Sequence, residues 1–121
     1  MSQCIFCSIV NGAIPSNKIF ESDEMIAIHD IHPVAPVHFL LIPKLHISSM
    51  LDVKDEHHEL LGKILVKAPS LAKGLGLSDG FRTVINTGAS HGQSVFHLHV
   101  HIIGNPSQDG LKAGIDQLLT L

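Results

Sequence analysis

The sequence predicts an α+β domain: a five-stranded, mainly antiparallel sheet against one long helix, with short helices at the two ends. Three observations point there: five apolar segments of strand length, an early pair spaced for a hairpin, and one extended run with helical spacing. The 121 residues fit one domain by length.

Taken in order, Cys4 to Asn11 is short and apolar and is closed by Gly12 and Pro15. It reads as one or two helical turns or a tight knuckle. Lys18 to Ser22 and Met25 to His29 read as strands joined by the polar pair Asp23–Glu24, a hairpin signal. Pro33 and Pro36 then break the chain, since each lacks an N–H and restricts the residue before it. His38 to Pro43 is nearly all apolar, as a central strand requires.

The long helix follows. Asp52 is its candidate N-cap, and Asp55, Glu56 and Glu59 put negative charge at the positive end of the dipole. Leu60, Leu61, Ile64, Leu65, Ala68, Leu71, Ala72 and Leu75 form one apolar stripe, and Gly74 and Gly76 supply the stop. Pro69 inside the stripe predicts a kink or a break into two helices. Phe81 to Asn86 reads as strand four and His97 to Ile103 as strand five, closed by Gly104, Asn105 and Pro106. The tail Leu111 to Leu121 reads as a last helix. The apolar helical segments leave room for a homodimer interface.

Composition narrows the class. Apolar residues at 45% and charged residues at 16% exclude a disordered chain. No apolar run approaches the roughly 20 residues of a spanning helix. The start MSQCIFCSIV lacks the basic-then-apolar pattern of a secretory signal. A net charge of -3 with 8 Lys and Arg argues against a nucleic-acid partner. A soluble cytoplasmic domain without membrane or nucleic-acid partners is expected.

One count is abnormal: 10 His, with neither Trp nor Tyr. The informative stretch is Gly92-Gln93-Ser94-Val95-Phe96-His97-Leu98-His99-Val100-His101-Ile102-Ile103. Strand side chains alternate, so His97, His99 and His101 share one face, roughly 6.6–6.8 Å apart, and Leu98, Val100 and Ile102 share the other. Three readings of that face compete. The imidazoles are solvated, or His-x-His ligates a metal, or a neutral imidazole attacks phosphorus while its neighbours take up the developing charge.

At these residues the chain resembles the histidine triad proteins, nucleotide-binding hydrolases and transferases marked by His-φ-His-φ-His-φ-φ, where φ is apolar. The resemblance runs from Cys4-Ile5-Phe6 through Ile14-Pro15, His29-Asp30-Ile31 and His38 to Asn86 and Gly92-Gln93-Ser94-Val95. It is closest to the small nucleotide-binding branch, whose members hydrolyse purine nucleoside phosphoramidates. The segment after Gly104 departs from that branch's usual tail.

The resemblance implies roles. His99 is the nucleophile, His101 hydrogen-bonds a nonbridging phosphate oxygen, and His38 completes the cluster. Ser94 and the backbone around Gln93 donate to the phosphate or leaving group, and Gly92 allows close backbone approach. Asp30, which by sequence alone could equally cap a turn, accepts from the ribose hydroxyls. Phe6, Ile9, Ile28 and Ile31, each ordinary core when taken singly, form the slot for the base. Asn86, otherwise a turn residue, contacts the phosphate or ribose region. Water then releases nucleoside monophosphate, and no metal enters the chemistry. Dinucleoside polyphosphate hydrolysis, nucleotidyl transfer and non-catalytic nucleotide binding are the alternatives, alongside an enzyme centred on a metal held by His97, His99 and His101.

Both cysteines lie in Cys4-Ile5-Phe6-Cys7. Alone this pair is redox-active, accidental, or half of a four-ligand zinc site, for which His46 and His97 are the candidates. Among histidine triad proteins with this N-terminal pair, the matching four positions form a structural Cys₂His₂ zinc site. His57 and His58 read as solvated, His32 and His91 as loop residues, and His29 as either exposed or near the ribose.

Overall fold

The structure, a computed structural model, describes residues 4–106. Its sheet has five strands in the order β1-β2-β3-β5-β4: β1 Lys18–Glu21, β2 Met25–His29, β3 Val37–Pro43, β4 Arg82–Val84 and β5 Val100–Gly104. Every pairing is antiparallel. Helix α1 spans Ile5–Val10 and helix α2 spans His58–Gly74. The α+β architecture expected from the sequence is thus present; the expected helix over Leu111 to Leu121 lies outside the described residues.

The sheet divides two cores by its pleat. Met25, Ala27, Phe39, Leu41, Val100 and Ile102 face α2, where they meet Ile64, Ala68, Ala72 and Leu77. Ile26, Ile28, Leu40 and Ile42 face the other way, against Phe6 and Ile9 of α1. Side chains alternate along each strand, so both faces of the central strands are apolar and buried.

The long helix differs from expectation at its start, and at its middle it is not broken in two. Asp52 does not cap it. Two 3₁₀ turns, Met50–Asp52 and Asp55–His57, come first, Ser49 accepts the Leu51 N–H at the first, and His57 stands at the N-cap of α2. α2 runs through Pro69 as a single helix. Pro69 and Leu65, whose carbonyl it deprives of a partner, are both on the exposed side, where water can take that hydrogen bond. The C-terminus is a Schellman motif: Leu77 N–H bonds Ala72 O at 2.9 Å and Gly76 N–H bonds Lys73 O at 3.0 Å. Gly76 has φ +94°, which a side chain would resist.

Strand four is shorter than the Phe81 to Asn86 expected, with only Arg82–Val84 in the ladder. No helix of the described residues is long and apolar enough to cross a membrane.

Candidate active site

Register sets the floor of the site. Ile28 pairs with Leu40 and Leu40 with His101, so these three form a row on the face under α1. Strand five begins at Val100, three residues later than expected, so His97 and His99 precede the ladder. The cause is local: Leu98 N–H is taken by Ile47 O at 2.7 Å, and the His97 ring is turned to Pro43 O. The three rings nonetheless stay on the α1 side. Phe6 meets His97 edge-on at 6.0 Å and His99 at 4.9 Å, and His99 and His101 converge to 4.9 Å between centroids.

Hydrogen bonds assign the protons on these rings. His99 Nδ1 is 2.7 Å from His97 O, an acceptor only, so Nδ1 carries the hydrogen and Nε2 keeps its lone pair. Val34 N–H donates to His38 Nδ1 at 3.2 Å, which puts the His38 proton on Nε2. That Nε2–H donates to His101 Nδ1 at 2.9 Å, so His101 carries its own proton on Nε2. The pair therefore holds one imidazole with a free lone pair (His99) and one with a free N–H (His101). Nucleophile and donor follow from backbone geometry.

Burial keeps both rings neutral. It pushes the His99 imidazole below its ordinary range, against the hydrogen bond to His97 O and the Asp30 charge, which pull upward. His101 is pushed down to about 4 by burial, then by His99 and His38, with Asp30 opposing. A neutral His99 can attack; a protonated one could not.

A cavity of about 290 Å³ opens over this pair. Phe6, Ile9, Ile28 and Leu40 form its apolar end, and Asp30, Asn86, Gly92, Ser94, His99 and His101 bring polar groups to it. Ile31 stands at the rim, 83% exposed. Asp30 both closes a turn and faces the cavity: one oxygen accepts from His32 N–H at 2.8 Å, and the other lies 3.4 Å from His38 Nε2. Gly92, at φ +91°, sits against the Asn86 side chain, so the loop carrying Ser94 turns tightly there. Two expected residues are not on the cavity wall. His38 is buried behind His101. Gln93 is buried too, its amide donating to Ser48 O and Val95 O and accepting from Gly88 N–H. Gln93 holds the loop; it does not face the cavity. Ile5, His29, His32 and Val95 also line it. Of these, only His29 was weighed for the site in the sequence, because Ile5 and Val95 carry no polar signal and His32 lies among prolines.

Behind His97 is a second cluster, in which donor atoms of Cys4, Cys7, His46 and His97 all lie within 4.8 Å of one another. Cys4 Sγ and Cys7 Sγ are 3.4 and 3.5 Å from His97 Nδ1, Cys7 Sγ is 3.3 Å from His46 Nδ1, and the two Nδ1 atoms are 3.1 Å apart. Tetrahedral zinc with Zn–N ~2.0–2.1 Å and Zn–S ~2.3 Å sets its ligand atoms ~3.3–3.6 Å apart for N···N and N···S pairs. The donor set fits such an ion. His97 Nε2–H donates to Pro43 O at 2.7 Å, which leaves the Nδ1 lone pair aimed at the cluster. A second grouping, Asp30, His38 and His101, is also compact. The proton on His38 Nε2 already fills the space between its two rings.

Residues 3–114 match the family described as "Scavenger mRNA decapping enzyme C-term binding". The chain is 52% identical over 106 residues to Protein HitA of Neisseria gonorrhoeae, covering 88% of this chain and 99% of that protein. It is 45% identical over 105 residues to Adenylylsulfatase HINT1 of Arabidopsis thaliana, covering 85% of this chain and 71% of that protein. Among solved structures, an HIT family hydrolase from Legionella pneumophila Philadelphia 1 superposes with a TM-score of 0.82 at 45% identity, covering 84% of this chain and 92% of that one.

Proposed function

Because the chain belongs to the histidine triad (HIT) family, we propose that it is a nucleotide-binding hydrolase that cleaves purine nucleoside phosphoramidates, or related nucleotide conjugates, at the α-phosphorus. The observation that carries this reading is the pairing of tautomers: a lone pair on His99 Nε2 beside an N–H on His101 Nε2, both lining one cavity.

The steps follow from those atoms. His99 Nε2 forms a bond to phosphorus while the bond to the leaving amine breaks, its electron pair going to nitrogen, which takes a proton through the exposed Ser94 hydroxyl. His101 Nε2–H donates to a nonbridging oxygen as charge develops there, and the Ser94 N–H adds a donor, those of Gly92 and Gln93 being held by Ala89 O and Gly88 O. Water then attacks phosphorus, giving up a proton along the same Ser94 path, the P–Nε2 bond breaks with its electron pair returning to His99, and nucleoside monophosphate leaves. Asp30 accepts from the ribose hydroxyls, Asn86 contacts the phosphate or ribose, and Phe6, Ile9, Ile28 and Ile31 hold the base.

Zinc on Cys4, Cys7, His46 and His97 belongs to the proposal as a structural ion. When bound it supplies cross-linking between α1 and the sheet, and it takes no part in the reaction. A homodimer in the cytoplasm completes the reading. Its support is the edge strand β4, paired only to β5 among the described residues, and the apolar Leu65 and Val66 exposed on α2, the latter 77%. A thiol-rich metal site suits a reducing compartment.

The test is incubation with adenosine 5′-phosphoramidate labelled at phosphorus. AMP release, with acid-labile label trapped on His99 after rapid quenching, is the expected result. His99→Ala should abolish release and retain AMP binding. Release without a labelled histidine, or an active His99→Ala, would overturn the assignment.

A further inference from the structure

The cavity over His99 and His101 does not end at the phosphate position. Its nucleoside end is closed by Phe6, Ile9 and Ile28, whereas Ile5, Ser94 and Val95 are shared with a second groove of about 530 Å³. That groove continues past Ser94 and is walled by Phe96, Ser48, His46 and Cys4. Among the described residues it offers a path along the protein surface away from Ser94, separate from the nucleoside end. Histidine triad chemistry needs such a path, because the departing group is attached to the same phosphorus that His99 attacks.

The chemistry of the walls is selective. Ile5 and Phe96 are 46% and 47% exposed, which sets apolar surface beside a polar centre. The remaining side chains are hydroxyls, Val95, Cys4 and the exposed His46, whose Nδ1 faces the cluster while its Nε2 lies 3.4 Å from Ser48 Oγ. Among the described residues no carboxylate lines the groove, so an ammonium entering it would lose water and gain no counter-charge from them. An apolar arm would cover Ile5 and Phe96 and lose nothing.

We propose that the groove beyond Ser94, between Ile5 of α1 and Phe96, is the leaving-group subsite, and that it selects amines bearing an uncharged apolar arm over amines bearing a cationic one. The inference rests on the phosphoramidate reading and names its second substrate half. Phe96 lies next to His97, yet its ring is outside both buried cores, so its truncation leaves the fold's apolar packing in place.

The experiment compares kcat/KM for three adenosine 5′-phosphoramidates: unsubstituted, N-benzyl, and N-(6-ammoniohexyl). Wild-type protein should prefer N-benzyl over both others. Phe96→Ala, and independently Ile5→Ser on the opposite wall, should lower the N-benzyl to unsubstituted ratio by at least ~5-fold, mainly through KM. An unchanged ratio in both variants, or wild-type preference for the ammonium arm, would overturn the subsite. Turnover of the unsubstituted compound keeps the two levels apart: if wild-type protein hydrolyses none of the three, the parent reading has failed and the subsite with it.

Discussion

His38 never touches the cavity, yet the proton assignments make it the residue on which His101 depends. His38→Ala removes the 2.9 Å bond to His101 Nδ1 and the acceptor for Val34 N–H. Both lost bonds are at a residue only 6% exposed. An unpaired buried polar atom costs ~1–3 kcal/mol, and a net neutral hydrogen bond contributes ~0.5–1.5 kcal/mol. His101 would keep its N–H but lose the partner that fixes which nitrogen carries it and where it points. A loss of ~1–2 kcal/mol from the transition state follows, or ~5–30-fold in kcat. His38 reaches the ribose site only through its 3.4 Å approach to one Asp30 oxygen, and the other stays fixed by His32 N–H, so KM should move by less than ~3-fold. His38→Gln can again present an N–H to His101 Nδ1 and should recover most of the loss. The assay is steady-state AMP release from adenosine 5′-phosphoramidate, normalised to folded protein by a thermal melt. A kcat for His38→Ala within two-fold of wild type, or no recovery with Gln, would refute the relay.

Two further outcomes are expected. His101, facing His38, His99 and Asp30, is held down to about 4 by burial and by the two imidazoles, whereas its ordinary value is 6.5. The unfolded chain therefore binds more protons between these values, and stability should be full above pH 6.5, fall as pH drops toward 4, and lose no more from this group below that. Melting temperature against pH should show a shallower acid fall in His101→Gln; an identical slope would remove the assignment. For the cluster behind His97, the purified chain should carry about one zinc per chain, and Cys7→Ser should lower both metal content and melting temperature, the latter by at least ~5 °C. Elemental analysis with calorimetry checks this, and an unchanged melt in metal-free protein would count against zinc.

Much of this was legible because period-2 alternation is a strong signal where both sheet faces are buried. Val100, Ile102, Phe39 and Leu41 could only face a helix, and His101 could only face away from it. The facing held at His97 and Leu98 as well, but the ladder there did not form, for a physical reason. Leu98 N–H bonds to Ile47 and His97 to Pro43, partners more than fifty residues away that no local pattern reveals. The break at Pro69 is absent for the opposite reason: its cost is fixed locally, but the solvent that relieves it depends on which side of α2 faces outward. Gln93 lay within the matched motif, and only its three buried hydrogen bonds distinguish a loop brace from a ligand contact.

The two clusters share one short element, and its length explains why they need each other. α1 has six residues, far below the ~12–15 at which an isolated helix is even marginal in water. Its position must come from what its side chains touch. Cys4 and Cys7 reach His46 and His97 on one side, while Phe6 and Ile9, lying between and beyond them, form the apolar wall of the nucleotide cavity on the other. The Cys-x-x-Cys spacing thus sets the height of Phe6 above the His99 ring, a 4.9 Å edge-on contact. His97 stands at the junction: its carbonyl fixes the His99 tautomer and its ring nitrogen faces the thiols. Loosening the cluster should therefore be felt at the cavity through two covalent neighbours, one on α1 and one on the 97–99 segment, without any change in the residues that would touch substrate.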